Sequence, residues 1–238
     1  MARVGATDAA LVVDLGCGPG HLTALLAERW PSARVIGVDD SPAMIEAARA
    51  NEAAARVEFV LADAATWEPE TAVDVVLSNA TLQWIPHHDR LLARMASWTA
   101  PSGWVAVQVP GNFSSPSHLA IAALCESPRW SAQLSEARQR PDPVPDPATY
   151  AVVLLGAGLA VDAWETTYLH LLGGDDPVLQ WVSGTALRPL LARLDAADTH
   201  EFTRELALRL RAAYPPGRHG TAFPFRRVFA VGHRPIHR

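Results

Sequence analysis

The chain has 238 residues, 49% hydrophobic and 19% charged, which fits a single soluble globular domain with a sizeable core and excludes a disordered polypeptide. All 20 basic residues are arginine, so Schiff-base and pyridoxal-phosphate chemistry and the lysine-bearing phosphate loop are excluded. Cys17 and Cys125 are too few for a disulfide framework or a zinc site, and no metal is expected.

Residues 1–180 carry 10 Arg against 21 acids, while residues 181–238 carry 10 Arg against 4. An acidic whole argues against a nucleic-acid partner, and a basic C-terminal part suits a pocket for a small anion. The longest nearly uncharged run, Ala148 to Val161, is too short to span a membrane. Asp14 interrupts the first apolar stretch, which does not read as a signal peptide, so a cytoplasmic location is expected.

Short apolar runs at Ala10–Leu15, Arg34–Val38, Val57–Leu61, Val73–Ser78 and Trp104–Val109 alternate with helical patterns at His21–Trp30, Pro42–Asn51 and Asp89–Thr99. Ser41-Pro42 reads as a helix N-cap followed by proline in the first turn. Apolar strands separated by helices predict βαβ units and a doubly wound α/β fold with a mostly parallel sheet. Thirteen of 19 prolines follow residue 108, four of them within Pro141–Pro147, which reads as a stiff extended connector. Helices are expected at Ala148–Gly156, Pro177–Gly184 and Arg188–Ala213, and strands at Val161–Leu171 and Arg227–Val231. The expected organisation is a cofactor-binding core over residues 10–110, its sheet completed by 159–172 and 225–233. Insertions at 111–147 and 174–222 then form a helical cap.

The sharpest local signal is Asp14-Leu-Gly16-Cys-Gly18-Pro-Gly20 between the first strand and first helix. Glycines at such a bend let the chain turn tightly and let a ligand touch the backbone. A dinucleotide fingerprint requires glycine at position 21, which is His21, and a pyrophosphate would be repelled by Asp14. A cationic ligand reverses that preference, and the sulfonium and ammonium groups of S-adenosylmethionine are cations. Asp39, ending the second strand, is placed for the ribose hydroxyls, Asp63 after the third strand for the adenine amino group, and Met44 for the adenine face.

This register resembles the class I S-adenosylmethionine-dependent methyltransferases. Ser78-Asn-Ala-Thr-Leu-Gln-Trp84 is similar to a post-strand motif of small-molecule members. Ala106–Phe113, Pro116-Ser-His118, Trp164–Tyr168, Trp181 with Gly184, Leu187-Arg-Pro189, Tyr214-Pro215 and Phe223–Arg227 resemble the trans-aconitate 2-methyltransferase family. The likeness implies a seven-stranded sheet with a late antiparallel strand and a cofactor set of Asp14, Gly16, Gly18, Gly20, Asp39, Ser41, Met44, Asp63, Ala64, Asn79 and Trp84. That family carries an N-terminal lid ahead of the first strand, whereas about ten residues precede it here.

The reaction so implied is methylation of a carboxylate of trans-aconitate or a related small polycarboxylic acid. Such a nucleophile is ionised at pH 7 and needs no general base, so no acid–base dyad is expected. The remaining carboxylates need clamps, for which arginine's planar fork is suited. The expected acceptor set is Arg188, Arg226 and Arg227, with His118, Tyr168 and Tyr214 as neutral donors and Trp181 as a wall. In an extended segment Arg226 and Arg227 point to opposite faces. A malonyl thioester carboxylate, a natural-product hydroxyl and a non-catalytic cofactor-binding module are the alternatives. The oligomeric state is left open.

Overall fold

A computed structural model of the chain describes residues 2–134 and 144–236. Its elements in order are β1 (Leu11–Leu15), α1 (His21–Arg29), β2 (Arg34–Asp39), α2 (Pro42–Arg49), β3 (Glu58–Leu61), β4 (Val73–Asn79), α3 (His88–Ser97) and β5 (Thr99–Pro110). These are followed by α4 (Pro116–Cys125), α5 (Ser131–Leu134), α6 (Pro147–Gly156), β6 (Ala160–Leu172), α7 (Pro177–Ser183), α8 (Arg188–Leu191), α9 (Ala196–Ala213), β7 (Pro216–Gly217) and β8 (Gly220–His233).

The sheet order is β3-β2-β1-β4-β5-β8-β6, with the two-residue β7 paired to β8. β1 pairs in parallel with β2 and β4, β2 with β3, and β4 with β5. The bonds joining β5 to β8 run Ser102–Arg234, Gly103–Arg234 and then Gly111–Arg226, so β8 is antiparallel. This is the doubly wound sheet that the alternating pattern predicts. β1 reads as a continuous apolar run because a central parallel strand is covered on both faces. Val12, Val13 and Leu15 are fully buried, each stabilising the fold by about 1.5–3 kcal/mol.

Contacts divide the chain into two compact units, Met1–Pro110 with Pro145–Glu165 and Val228–Arg238, and Gly111–Val144 with Thr166–Arg227. In the first unit Val12, Val35, Val75, Leu77 and Ala106 pack with Leu26 and Trp30. In the second, Leu124, Trp130, Leu134, Phe202, Leu206 and Phe223 form a separate core.

Several elements differ from the sequence expectation. β5 begins at Thr99 rather than Trp104, because the register shifts between Val73 and Val75 and the chain bulges there, with Ser102 at φ 63°. The expected helix Arg188–Ala213 is two helices, because the Asp195 carboxylate accepts the Asp198 N–H at 2.8 Å and caps a fresh start. β8 is 14 residues long instead of five. α4 was not anticipated, although Ser115-Pro116 repeats the Ser41-Pro42 signature that starts α2. Of the proline-rich connector, Pro141 and Pro143 lie outside the described residues, while Asp146 caps α6 and Pro147 sits in its first turn.

Candidate active site

The glycine loop is held from below by β2: the N–H groups of Gly16 and Cys17 both donate to Val38 O, at 2.7 and 2.9 Å. Gly16 has φ 80°, and a Cβ there would lie 2.0 Å from Thr81 Oγ1, so only glycine lets the loop seat against the chain leaving β4. Gly18, at φ 53°, is the opposite case, since a Cβ there would meet nothing within 4 Å. Its N–H donates to Asp39 Oδ2 at 2.9 Å, and Ser41 N–H donates to Asp39 Oδ1 at 3.0 Å. Each Asp39 oxygen keeps a lone pair for a further donor.

The loop and strand ends enclose a cavity of about 520 Å³, within the usual range for a small-molecule site. Of the expected cofactor set, Asp14, Gly16, Gly18, Asp39, Asp63, Ala64, Asn79 and Trp84 line it. Gly20, Ser41 and Met44 do not: Gly20 starts α1 beside the Phe59 ring, and Ser41 caps α2 by accepting the Met44 N–H at 3.4 Å. Trp84, 48% exposed, stands on a short 3₁₀ turn, Leu82–Trp84. The lining also includes Cys17, His21, Asp40, Ala80, Thr81 and Ile85, which sequence reasoning did not assign to the ligand. Ala80 to Ile85 fall inside or beside the Ser78–Trp84 motif, so their segment was legible though their roles were not.

Four carboxylates line this cavity, with no arginine among the lining residues. Asp14 is 1% exposed; burial, with the nearby Asp39 charge, pushes its carboxyl up to about 6, against the lowering effect of the Thr23 hydrogen bond. Its Oδ1 is buried with no hydrogen-bond partner. Burial, then the Asp14 and Asp39 charges, push the Cys17 thiol up to about 12, so Cys17 stays a neutral thiol and not a nucleophile. An anionic pyrophosphate is disfavoured here. An adenosyl donor carrying positive charge fits: the orphaned Asp14 oxygen, the open backbone at Gly18, and the acceptors on Asp39 and Asp63 are its complements.

The expected acceptor residues all belong to the second unit, in separate settings. Tyr168, Trp181 and Arg227 gather around one aromatic cluster: Trp181 packs on Phe223, Phe225 and His170, and the Arg227 guanidinium lies over Tyr168 and Phe225 at 5.9 and 5.1 Å. His170, not anticipated, sits between Tyr168 and Trp181. Arg226 instead lies against Gly111, its backbone exchanging hydrogen bonds with the Asn112 amide. His118 is held by Ser115 and Ser117 at 3.2 and 3.3 Å, and burial lowers its pKa, which keeps it neutral at pH 7. Tyr214 is buried, and its hydroxyl accepts the Ser117 N–H at 3.1 Å, bracing the start of α4. Arg188 is exposed in the single turn of α8. Among the described residues no three His, Cys, Asp or Glu side chains gather as metal ligands, and no helix is long and apolar enough to cross a membrane.

A mostly parallel sheet whose first loop presents glycines and a buried acid, with a further acid at the end of β2 and another after β3, is the arrangement of a class I S-adenosylmethionine-dependent methyltransferase. Comparison with known proteins agrees. Residues 12–103 match the methyltransferase domain family. The YcgJ protein of Bacillus subtilis shares the fold, with a TM-score of 0.64 at 15% identity over 99% of this chain and 96% of that one. The trans-aconitate 2-methyltransferase of Streptomyces avermitilis is 51% identical over 95% of this chain and 86% of its own length. That of Streptomyces coelicolor is 48% identical over 96% of this chain and 77% of its own. The chain belongs to the trans-aconitate 2-methyltransferase family, as its later segments indicated.

Proposed function

We propose that this enzyme transfers a methyl group to one carboxylate of trans-aconitate, or of a closely related small polycarboxylic acid, giving the monomethyl ester and S-adenosylhomocysteine. The observation that carries the reading is the 51% identity to a trans-aconitate 2-methyltransferase across 95% of the chain. When bound, S-adenosylmethionine supplies an electrophilic methyl carbon on a sulfonium. Asp39 and Asp63 accept hydrogen bonds from the adenosine part, and Asp14 supplies negative charge beside the loop. No residue has to remove a proton, because the attacking carboxylate is already ionised; alignment and exclusion of water lower the barrier.

The acceptor falls to residues of the 111–147 and 174–222 insertions and their flanking strands. Arg188 and one of Arg226 and Arg227, which point to opposite faces of β8, balance the carboxylates that do not react. His118, Tyr168 and Tyr214 add neutral hydrogen bonds, and Trp181 excludes water. The partner is a small anion rather than a nucleic acid.

The test is to incubate the purified protein with S-adenosylmethionine and trans-aconitate, cis-aconitate, citrate, isocitrate or a malonyl thioester. Mass spectrometry then reports methyl ester. Ester from trans-aconitate in preference to the others is the expected result. Product from the thioester alone overturns the acid assignment, and donor binding without product from any acid overturns the catalytic reading.

A further inference from the structure

Thr23 is fully buried in the first turn of α1, and its Oγ1 donates to Asp14 Oδ2 at 2.6 Å. Asp14 lines the cavity at the end of β1, and its other oxygen, Oδ1, is buried without a partner. A buried carboxylate oxygen left unpaired is costly, and one retained beside a ligand cavity is explained by a cation arriving with the ligand. Thr23 is no part of the cavity lining, so any effect it has on a ligand passes through Asp14.

We propose that Thr23 is a positioning residue that fixes the Asp14 carboxylate, leaving Oδ1 for a cationic group of the methyl donor. The pair thereby makes donor binding depend on pH, strong with Asp14 ionised and weak with it protonated. This rests on S-adenosylmethionine being the ligand of the cavity. Asp39 at the end of β2 and Cys17 in the loop are close enough to Asp14 to interact with its charge, and the other titratable groups lining the same cavity are Asp40, Asp63 beyond β3 and His21 from α1. Asp74 of β4 is engaged at the opposite end of β1, where it accepts the Ala10 and Leu11 N–H groups. Asp14 titrates near 6 because burial outweighs the Thr23 bond, so removing that bond moves its titration further up.

The experiment is calorimetric titration of the whole chain with S-adenosylhomocysteine, which keeps the ammonium group, from pH 5 to 7. Buffers of differing ionisation enthalpy report protons released. Affinity is expected to be about tenfold weaker at pH 5 than at pH 7, with proton release on binding near pH 6 and below. Asp14→Asn removes both the pH dependence and the proton release. Thr23→Val moves the midpoint upward, and Thr23→Ser restores it. Equal affinity from pH 5 to 7 overturns the proposal. So does a Thr23→Val protein that binds more weakly by one constant factor at every pH, which is what a merely structural threonine gives. If Thr23→Val fails to fold by circular dichroism, Thr23→Ala, which also removes the bond to Asp14, takes its place with the same upward shift expected. Failure of the wild-type protein to bind at any pH overturns the donor assignment itself.

Discussion

Asp39 Oδ2 accepts the Gly18 N–H at 2.9 Å, so the residue that ends β2 also shapes the glycine loop that follows β1. Its Oδ1 meanwhile holds the Ser41 N–H at the start of α2. One carboxylate thus orders two segments and keeps acceptor capacity for a ligand. Asp39→Ala is expected to weaken S-adenosylhomocysteine binding by about 10- to 100-fold, the loss of one or two charge-assisted hydrogen bonds. Asp39→Asn is expected to fall between that and the wild type. Calorimetric titration at pH 7 checks both, and an unchanged affinity for Asp39→Ala removes Asp39 from the ligand site.

Asp14 weakens the ligand-free fold. Its folded carboxyl titrates near 6, above the ordinary 3.8, so its ionisation favours the unfolded chain as pH rises through that window. Asp14 itself costs the fold nothing below about pH 3.8 and on the order of 3 kcal/mol at pH 7. Asp14→Asn should therefore raise the unfolding free energy of the ligand-free protein at pH 7 by up to that amount, and by little at pH 4. Urea denaturation at the two pH values is the check. A variant equally stabilised at both removes ionisation as the cause.

Gly16 faces two constraints, a left-handed backbone and the Thr81 side chain 2.0 Å from where a Cβ would stand. Gly16→Ala should cost more than about 2 kcal/mol, combining left-handed strain with overpacking. Gly16→Ala with Thr81→Ala should recover the packing part but not the strain. Denaturation midpoints of the single and double variants measure the split, and full recovery would show that conformation contributes nothing.

Arg188 is exposed on a single helical turn, so truncating it should leave folding within about 0.5 kcal/mol of wild type. Arg188→Ala is expected to raise KM for the acid at least tenfold while S-adenosylhomocysteine affinity stays unchanged. Steady-state kinetics beside calorimetry separates the two, and equal losses in both would assign Arg188 to the fold.

The glycine loop, the acids after β1, β2 and β3, and the alternating strands and helices were legible in the sequence because each depends on local chemistry. Positive φ favours glycine, strand ends expose acids, and central parallel strands are continuously apolar. The Ser115-Pro116 start of α4 is equally local, although the expected cap over 111–147 carries no helix range of its own. Other features are set by contacts distant in sequence. Thr81 approaches Gly16 only because β4 lies beside β1, and the bulge before Gly103 follows from pairing with β4. The burial that raises the Asp14 carboxyl comes from α1 closing over β1, with Thr23 brought within 2.6 Å. Composition and spacing give an acid at that bend its identity; the elements packed around it decide its proton affinity, since desolvation is a property of the assembled fold.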